Sequence, residues 1–475
     1  MAFPTAFSAA CFLAVLPRGY ALPAGGQVVA GDVSLVQSGG AMTLTQASRH
    51  AIMNWQSFNL GVGEQLHITQ NGADAAMLAR VIGSDPSQLL GALKADGKLF
   101  LINRNGIVVG AGATIDTAAF LASTLDVADA DFLKGGALTL TGDSTAGVVN
   151  LGKITAREGN VLLLAHTVKN AGEISAANGT AGLGAGTEVY LASPDAPAFV
   201  IKTNLTRTPD EAATPIGVDN SGVIAAAQAQ LEAAGGSLYT LAVNHSGVIK
   251  ANGVERQPDG RILLTAAGGN VAVAGSAIAR DADGSGGEIL IGGDYQGKNS
   301  AVANAANTQI AASASLDANA TAASADGGRV IVWADNITRY SGALSARGGA
   351  AGGDGGFAEV SGKRRLAFAG TSDLSAPAGE RGTLLLDPDN IMIVAGTTAE
   401  PSGLTNGPPI TWPENVDPGD HDFGADTLVA LLATNSVHLS ATDSITVNAP
   451  VVVASGGTDG MELSLSASTI ALNET

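Results

Sequence analysis

The chain is poor in several things at once. Its 475 residues hold one cysteine, Cys11, so disulfide frameworks, zinc ribbons and CxxC redox chemistry are excluded together. Aromatic residues make up 4% and charged residues 14%. Positive charge is short: 24 Lys and Arg stand against 43 Asp and Glu, a formal net charge of −19. Such an acidic surface repels phosphate backbones and argues against nucleic acid as a partner. No apolar run is long enough for a transmembrane helix. P-loop, G-x-S-x-G and H-E-x-x-H signatures are absent as well. The chain is therefore expected to be no enzyme and to carry no cofactor or metal.

What remains is apolar and small-sided. Hydrophobic residues reach 45%, and 63 glycines accompany many Ala, Ser, Thr, Asn and Val. That is too apolar for a disordered acidic chain and too finely built for an ordinary α/β enzyme. It suits a stack of narrow layers. At the start, Ala6 to Leu16 form a short apolar run, followed by Gly19-Tyr20-Ala21 with small residues at its first and third places. Residues 1–21 are expected to be a signal peptide cleaved after Ala21. No Lys or Arg precedes Arg18, which a start assigned too late would explain. Cleavage would leave a chain without cysteine, suited to crossing a periplasm unfolded.

From about Gly25, alternating runs sit between Gly- and Asn-containing turns, beginning with Gln27–Gly31, Ser34–Gln37 and Met42–Thr45. An N-x-G-x-I-x-A phrase recurs at Asn150–Ala156 and Asn170–Ala176, with variants at Ser221–Ala226 and Ser246–Ala251. A second phrase runs from Gly into a β-branched strand at Gly260–Thr265, Gly287–Gly292 and Gly328–Trp333. Periods of 20 to 28 residues made of strands and turns point to a solenoid, and the missing L-x-x-L-x-L phrase excludes leucine-rich repeats. The expected fold is all-β, a right-handed parallel β-helix with short helices and loops outside the coils. Inward Val, Ile, Leu and Ala should stack in columns, with Gly and Asn at left-handed corners. Coils of ~22 residues would give roughly 20 coils and ~95 Å.

Two interruptions stand out. Ser84–Leu93 carries an N-cap candidate, an early Pro86 and Leu89 four before Leu93, which predicts a short helix lying on the solenoid. Gly396–Asp422 is rich in Pro, Gly and Asp and reads as a loop, with another short helix over Ala425–Ala433. Strands resume at Ser436–Ser440 and Ser444–Val447. The chain's last phrase is strand-like with no polar cap, so further protein or a partner is expected to cover it. The expected segments are 1–21, 22–140, 141–395, 396–424 and 425–475.

Candidate ligands are few. The six histidines, at 50, 67, 166, 245, 421 and 438, are scattered and expected to be solvated. Asp281–Gly287 looks like a calcium loop but lacks a Glu at its twelfth place, which is Gly292. Asp417–Asp422 clusters carboxylates and an imidazole and reads as a polar turn. Trp55 and Phe58 lie three apart and should cap the core across a bend at Gln56-Ser57.

The N-terminal part resembles the secretion domain of filamentous haemagglutinin and the large exoproteins of two-partner secretion. The phrases that carry this are Leu22-Pro23-x-Gly25-Gly26 running to Gly31, Asn54–Gly61, Leu99–Ile107 and Phe120–Val127. Arg104 stands where the family usually has Pro, and Asn103, Asn105 and Gly106 keep the turn chemistry. Gly328 to Phe368 and Gly382–Pro388 resemble phrases of exoproteins described as adhesion or haem-utilisation proteins. The resemblance implies export from the periplasm of a Gram-negative bacterium through an outer-membrane β-barrel partner. It further implies a secreted or cell-surface, filamentous-haemagglutinin-like adhesin whose ladder of Ser, Thr and Asn makes many weak contacts. Recognition by the secretion partner would use Asn54, Trp55, Gln56, Ser57, Phe58 and Asn59 with Asn103, Arg104, Asn105 and Gly106. The alternative it leaves open is capture of haem or a haem carrier, with Tyr295, Tyr340 or His421 as candidate ligands. A β-helical polysaccharide-cleaving enzyme shares the fold class but has no identifiable base.

Overall fold

The computed structural model describes residues 21–192, 199–201, 214–234, 239–255, 257–398, 421–453 and 462–473. The strands Gln27–Ala30 (β1), Val33–Ser38 (β2), Ala41–Gln46 (β3) and His50–Trp55 (β4) open the fold. Gln65–Gln70 (β5), Ala76–Val81 (β6), Ser87–Leu89 (β7), Ala92–Ala95 (β8) and Lys98–Ile102 (β9) follow. β1 pairs antiparallel with β4, and β2 with β3. From β3–β5 and β4–β6 onward the pairing along the solenoid is parallel, coil upon coil. The result is a parallel β-helix with an antiparallel cap at its start.

Each coil bends round a common core because alternate residues point inward. One face is a sheet of ten parallel strands, from β7 through Ile107–Val109, Gly147–Asn150 and Thr167–Asn170 to Arg365–Phe368. On a second face, Leu93, Ile115, Ile154, Ile174, Ile224 and Ile249 lie in register on successive coils. The N-x-G-x-I phrase is thus one column seen repeatedly. On the third, Leu99, Phe120, Val161, Ala181, Ala229, Ile262, Ile289 and Val330 do the same. All of these inward residues are buried. Each fully buried Leu or Ile contributes about 1.5–3 kcal/mol, so the columns are the main source of stability.

The coils are fewer than the period predicts. Thirteen successive parallel pairings link fourteen strands on the third face, from β4 to Leu463–Leu472. At ~4.8 Å per step that is about 60 Å, not ~95 Å. Residues are spent outside the coils instead, in the helix Asp129–Lys134 (α1), in a small antiparallel sheet of Leu138–Thr141, Glu188–Leu191 and Phe199–Ile201, and in loops.

Three further expectations are corrected. Ser84–Leu93 is not a helix: it forms β7 and β8, and Leu89 and Leu93 point inward from two different strands. Gly91 makes the corner between them, where a Cβ would lie 2.3 Å from the Glu64 carbonyl oxygen. A corner inside an apolar i, i+4 pair imitates helical spacing. Asn150, Asn170 and Asn220 are not left-handed, since Gln296 is the only non-glycine with positive φ among the described residues. They are fully buried and stacked, Asn150 Nδ2 donating to Asn170 Oδ1 at 2.8 Å and Asn170 Nδ2 to Asn220 Oδ1 at 2.7 Å. Asn220 Nδ2 then lies 3.1 Å from Nδ1 of His245, whose Nε2 faces the Ser276 carbonyl at 3.1 Å. His245 and His166 are therefore buried, not solvated. The glycines of the phrase serve close approach: a Cβ on Gly172 would lie 2.2 Å from the Gly152 oxygen, and one on Gly222 equally close to that of Gly172.

Near the end, the helix Ala425–Leu432 (α2) lies where it is expected, and Ser436–Val447 forms the resumed strand. His421–Gly424 is a strand parallel to Asn390–Val394, so the expected loop 396–424 stops short of it. Asp417–Asp420 and residues 1–20 lie outside the described residues.

Candidate recognition site in the N-terminal cap

The cap brings the family-like phrases into contact. The Leu22-Pro23-x-Gly25-Gly26 segment runs along the turn that follows β4, with Ala24 N–H donating to the Ser57 carbonyl at 2.9 Å and Gln56 N–H to the Ala24 carbonyl at 3.0 Å. Glycine is required here by space. A Cβ on Gly26 would lie 2.7 Å from the Trp55 ring, and one on Gly25, at φ +67°, 2.5 Å from Gln56 Cγ. Ala21 N–H donates to Glu64 Oε1 at 2.7 Å, and Gly61 N–H to Glu64 Oε2 at 2.7 Å, fixing the incoming chain.

Trp55 and Phe58 sit on either side of the bend at Gln56-Ser57 and meet edge to face, 5.7 Å apart at 84°. Both are buried, and together they close the core beneath the cap. Trp55 Nε1 and Asn54 Oδ1 are buried without a hydrogen-bond partner among the described residues. Beyond the bend, Asn59 Oδ1 accepts from Gln88 N–H at 2.7 Å.

The second cluster closes on the same segment. Gly106 N–H donates to the Asn103 carbonyl at 3.0 Å, so the β-turn Asn103–Gly106 survives with Arg104 in the usual proline place. Asn103 is fully buried: its Nδ2 donates to the Asp85 carbonyl and to Ser87 Oγ, each at 3.0 Å, while its Oδ1 accepts from Asn105 N–H at 2.9 Å. Asn105 Nδ2 reaches the Gly83 carbonyl at 2.8 Å. A Cβ on Gly83 would lie 2.0 Å from the Gln56 oxygen. Residues 82–88 are thus clamped between the Asn54–Asn59 and Asn103–Gly106 turns. Arg104 points outward, pairing loosely with Asp143 at 3.4 Å, and Gln56 of the first turn is exposed as well.

The haem candidates fare unequally. Tyr340 is buried against Phe368, ring centroids 5.0 Å apart, and out of a ligand's reach. Tyr295 is 42% exposed and tilts over Phe357. The His421 side chain lies outside the described residues. Asp281 and Asp283 are occupied by hydrogen bonds from Gly260 and Ser285. One cleft has no counterpart in the sequence analysis: about 450 Å³ between α1 and the solenoid, lined among others by Arg49, His50, Lys98, Phe100, Phe132 and Lys134. Those residues are scattered along the chain, and no motif marks them.

A heme/hemopexin-binding protein of Haemophilus influenzae is 31% identical over 227 residues, 45% of this chain but 24% of that protein. A second protein of the same name and species is 40% identical over 86 residues, 18% of this chain and 9% of that one. The chain thus matches about a quarter or less of the length of these relatives. The crystal structure of the HMW1 secretion domain from Haemophilus influenzae superposes with a TM-score of 0.55 at 27% identity, covering 75% of this chain and 99% of that domain. The family model of the TPS secretion domain matches residues 20–279, and the chain belongs to that family of two-partner secretion exoproteins.

Proposed function

We propose that an outer-membrane β-barrel partner recognises Asn54–Asn59 and Asn103–Gly106 on the unfolded chain, and that the solenoid, folded outside the cell, acts as a non-enzymatic, filamentous-haemagglutinin-like adhesin. One observation carries the first half. In the folded cap Asn103, Trp55 and Phe58 are buried and the side chains of Asn59, Asn103 and Asn105 are spent on the 82–88 segment. Trp55, Phe58 and Asn103 are open to a partner only before the cap closes. Residues 22–140 hold every part of this recognition unit, and the coils that follow to 279 complete the region matched by the family.

Export is the test. The chain is expressed in a Gram-negative host with and without its outer-membrane partner, and culture medium and cell surface are assayed. Expected is partner-dependent export that Asn103→Ala and Asn105→Ala reduce. Both asparagine variants are also refolded and melted in vitro, so that a defect in export is separated from a defect in folding. Export without the partner, or export unaltered by either asparagine variant, overturns the reading.

A second reading, capture of haem or a haem carrier, is favoured by the names of the two relatives and by the cationic cleft beside α1.

A further inference from the structure

On the third face of the solenoid the outward side chains stack as well, and one of them breaks the pattern. Leu263, Leu290, Ile331, Glu359 and Leu385 lie in register on successive coils. Glu359 is the one polar member among these five, and it is fully buried. An excursion of the chain over residues 293–304 covers it. The two ends of this excursion meet where Ala305 N–H donates to the Gly292 carbonyl at 2.7 Å. A loop closed at its base can lift without opening the coil beneath it. Within it, Val302 packs with Leu290, Ile331 and Trp333 in a small apolar cluster separate from the main core.

Carboxylates hold the tip of this strap. Gln296 N–H donates to Glu359, 3.0 Å from Oε2 and 3.3 Å from Oε1, and Gln296 Nε2 donates to Asp387 Oδ2 at 2.6 Å. Gln296 is left-handed, at φ 52°, a conformation that an L-residue keeps only where its surroundings impose it. The charged groups acting on Glu359 are Asp387 and Arg329. Arg329 is already engaged by Glu288 at 2.6 Å and by Asp294 of the strap at 2.5 Å. Lys298 is spent on the Gln296 side chain at 2.6 Å. An ionised Glu359 therefore places a second negative charge beside Asp387 in an apolar column, with the nearest cation shared. Burial pushes its carboxyl up to about 7, while a lifted strap returns it to water and to its ordinary value of 4.5. The neutral carboxyl keeps an acceptor oxygen for Gln296 N–H. We propose that residues 293–304 form a proton-controlled strap, closed while Glu359 is protonated and loosened when it ionises, which uncovers Leu290, Ile331 and Trp333. The closed strap keeps the proton up to about pH 7 and the open one only to about 4.5. Closure is thus strongest below 4.5, weakens as pH rises through that window and reaches its floor above 7.

Hydrogen exchange of the full chain, measured between pH 5 and 8 and divided at each pH by the rate of an unstructured peptide, reads the strap directly. Protection of residues 293–304 should fall by about tenfold or more, up to about two orders of magnitude, as pH rises across that range. The strands Glu288–Ile291 and Arg329–Ala334 beneath should stay protected. Glu359→Gln should make strap protection independent of pH, and Asp387→Asn should move the transition to lower pH. His438→Gln, two strands further along the same column, should leave it in place. Strap protection that does not change with pH in the native chain overturns the proposal, and so does a native pH dependence that survives in Glu359→Gln. If circular dichroism shows Glu359→Gln unfolded, Asp387→Asn decides: a lowered midpoint supports Glu359 as the sensor, and an unmoved one overturns it.

Discussion

The cap and the solenoid solve the same problem by different means. In the coils from about Gly147 onward, stability comes from repetition: Ile154, Ile174, Ile224 and Ile249 fill one column, and Asn150, Asn170 and Asn220 another. In the cap each contact is made once. Gly26 lies on Trp55, Glu64 holds two backbone N–H groups, and Asn103 fastens the 82–88 segment. Repetition tolerates the loss of one member, because neighbours above and below still pair. A cap built of single contacts has no such reserve, and it is the part that must seal the end of the core.

The largest expected effect therefore falls on the cap. Trp55→Ala should cost about 3–5 kcal/mol through packing alone, since the indole N–H has no partner to lose among the described residues. Chemical denaturation followed by circular dichroism measures it. A cost below that of a single solenoid Leu→Ala would erase the contrast between the two regions. Next comes Asn170→Ala, which strands the Asn150 donor and the Asn220 acceptor and should cost roughly 2–4 kcal/mol. Hydrogen exchange should show the loosening confined to the neighbouring coils; an effect reaching the cap would mean that the two regions fold as one unit.

The smallest effect is a pH dependence located in the solenoid. Burial holds the His245 imidazolium below its ordinary range. The unfolded chain thus binds the proton first, and stability should fall as pH drops below about 6.5 toward the lower folded value. His245→Asn, which continues the amide ladder, should remove that component of the slope. Glu359 acts in the opposite sense: burial pushes its carboxyl up to about 7, so its contribution improves as pH falls from about 7 toward 4.5. The difference between native and His245→Asn melting curves isolates the histidine; identical pH slopes would show that the ladder does not sense the proton.

Much of this was legible in the sequence because a solenoid writes its contacts at short, repeated spacing. The Gly-x-Ile columns and the strand phrases report which residues stack. What stayed hidden depends on corners and on insertions. Leu89 and Leu93 read as one helical face until Gly91 turns the chain between them. Coil number was overestimated because residues in α1 and the outer sheet add length without adding rungs. The His50 cleft had no sequence signal, since it exists only where α1 folds back over strands far from it in the chain.

The amide ladder also has a grammar. Asn150 donates to Asn170, Asn170 to Asn220, and Asn220 meets the ring nitrogen of His245, always from the earlier residue to the later one. A rung already in place offers a hydrogen and the arriving rung answers with a lone pair. For coils laid down in chain order, this is a zipper with a built-in direction: every closed tooth holds out the half of the clasp that the next one needs.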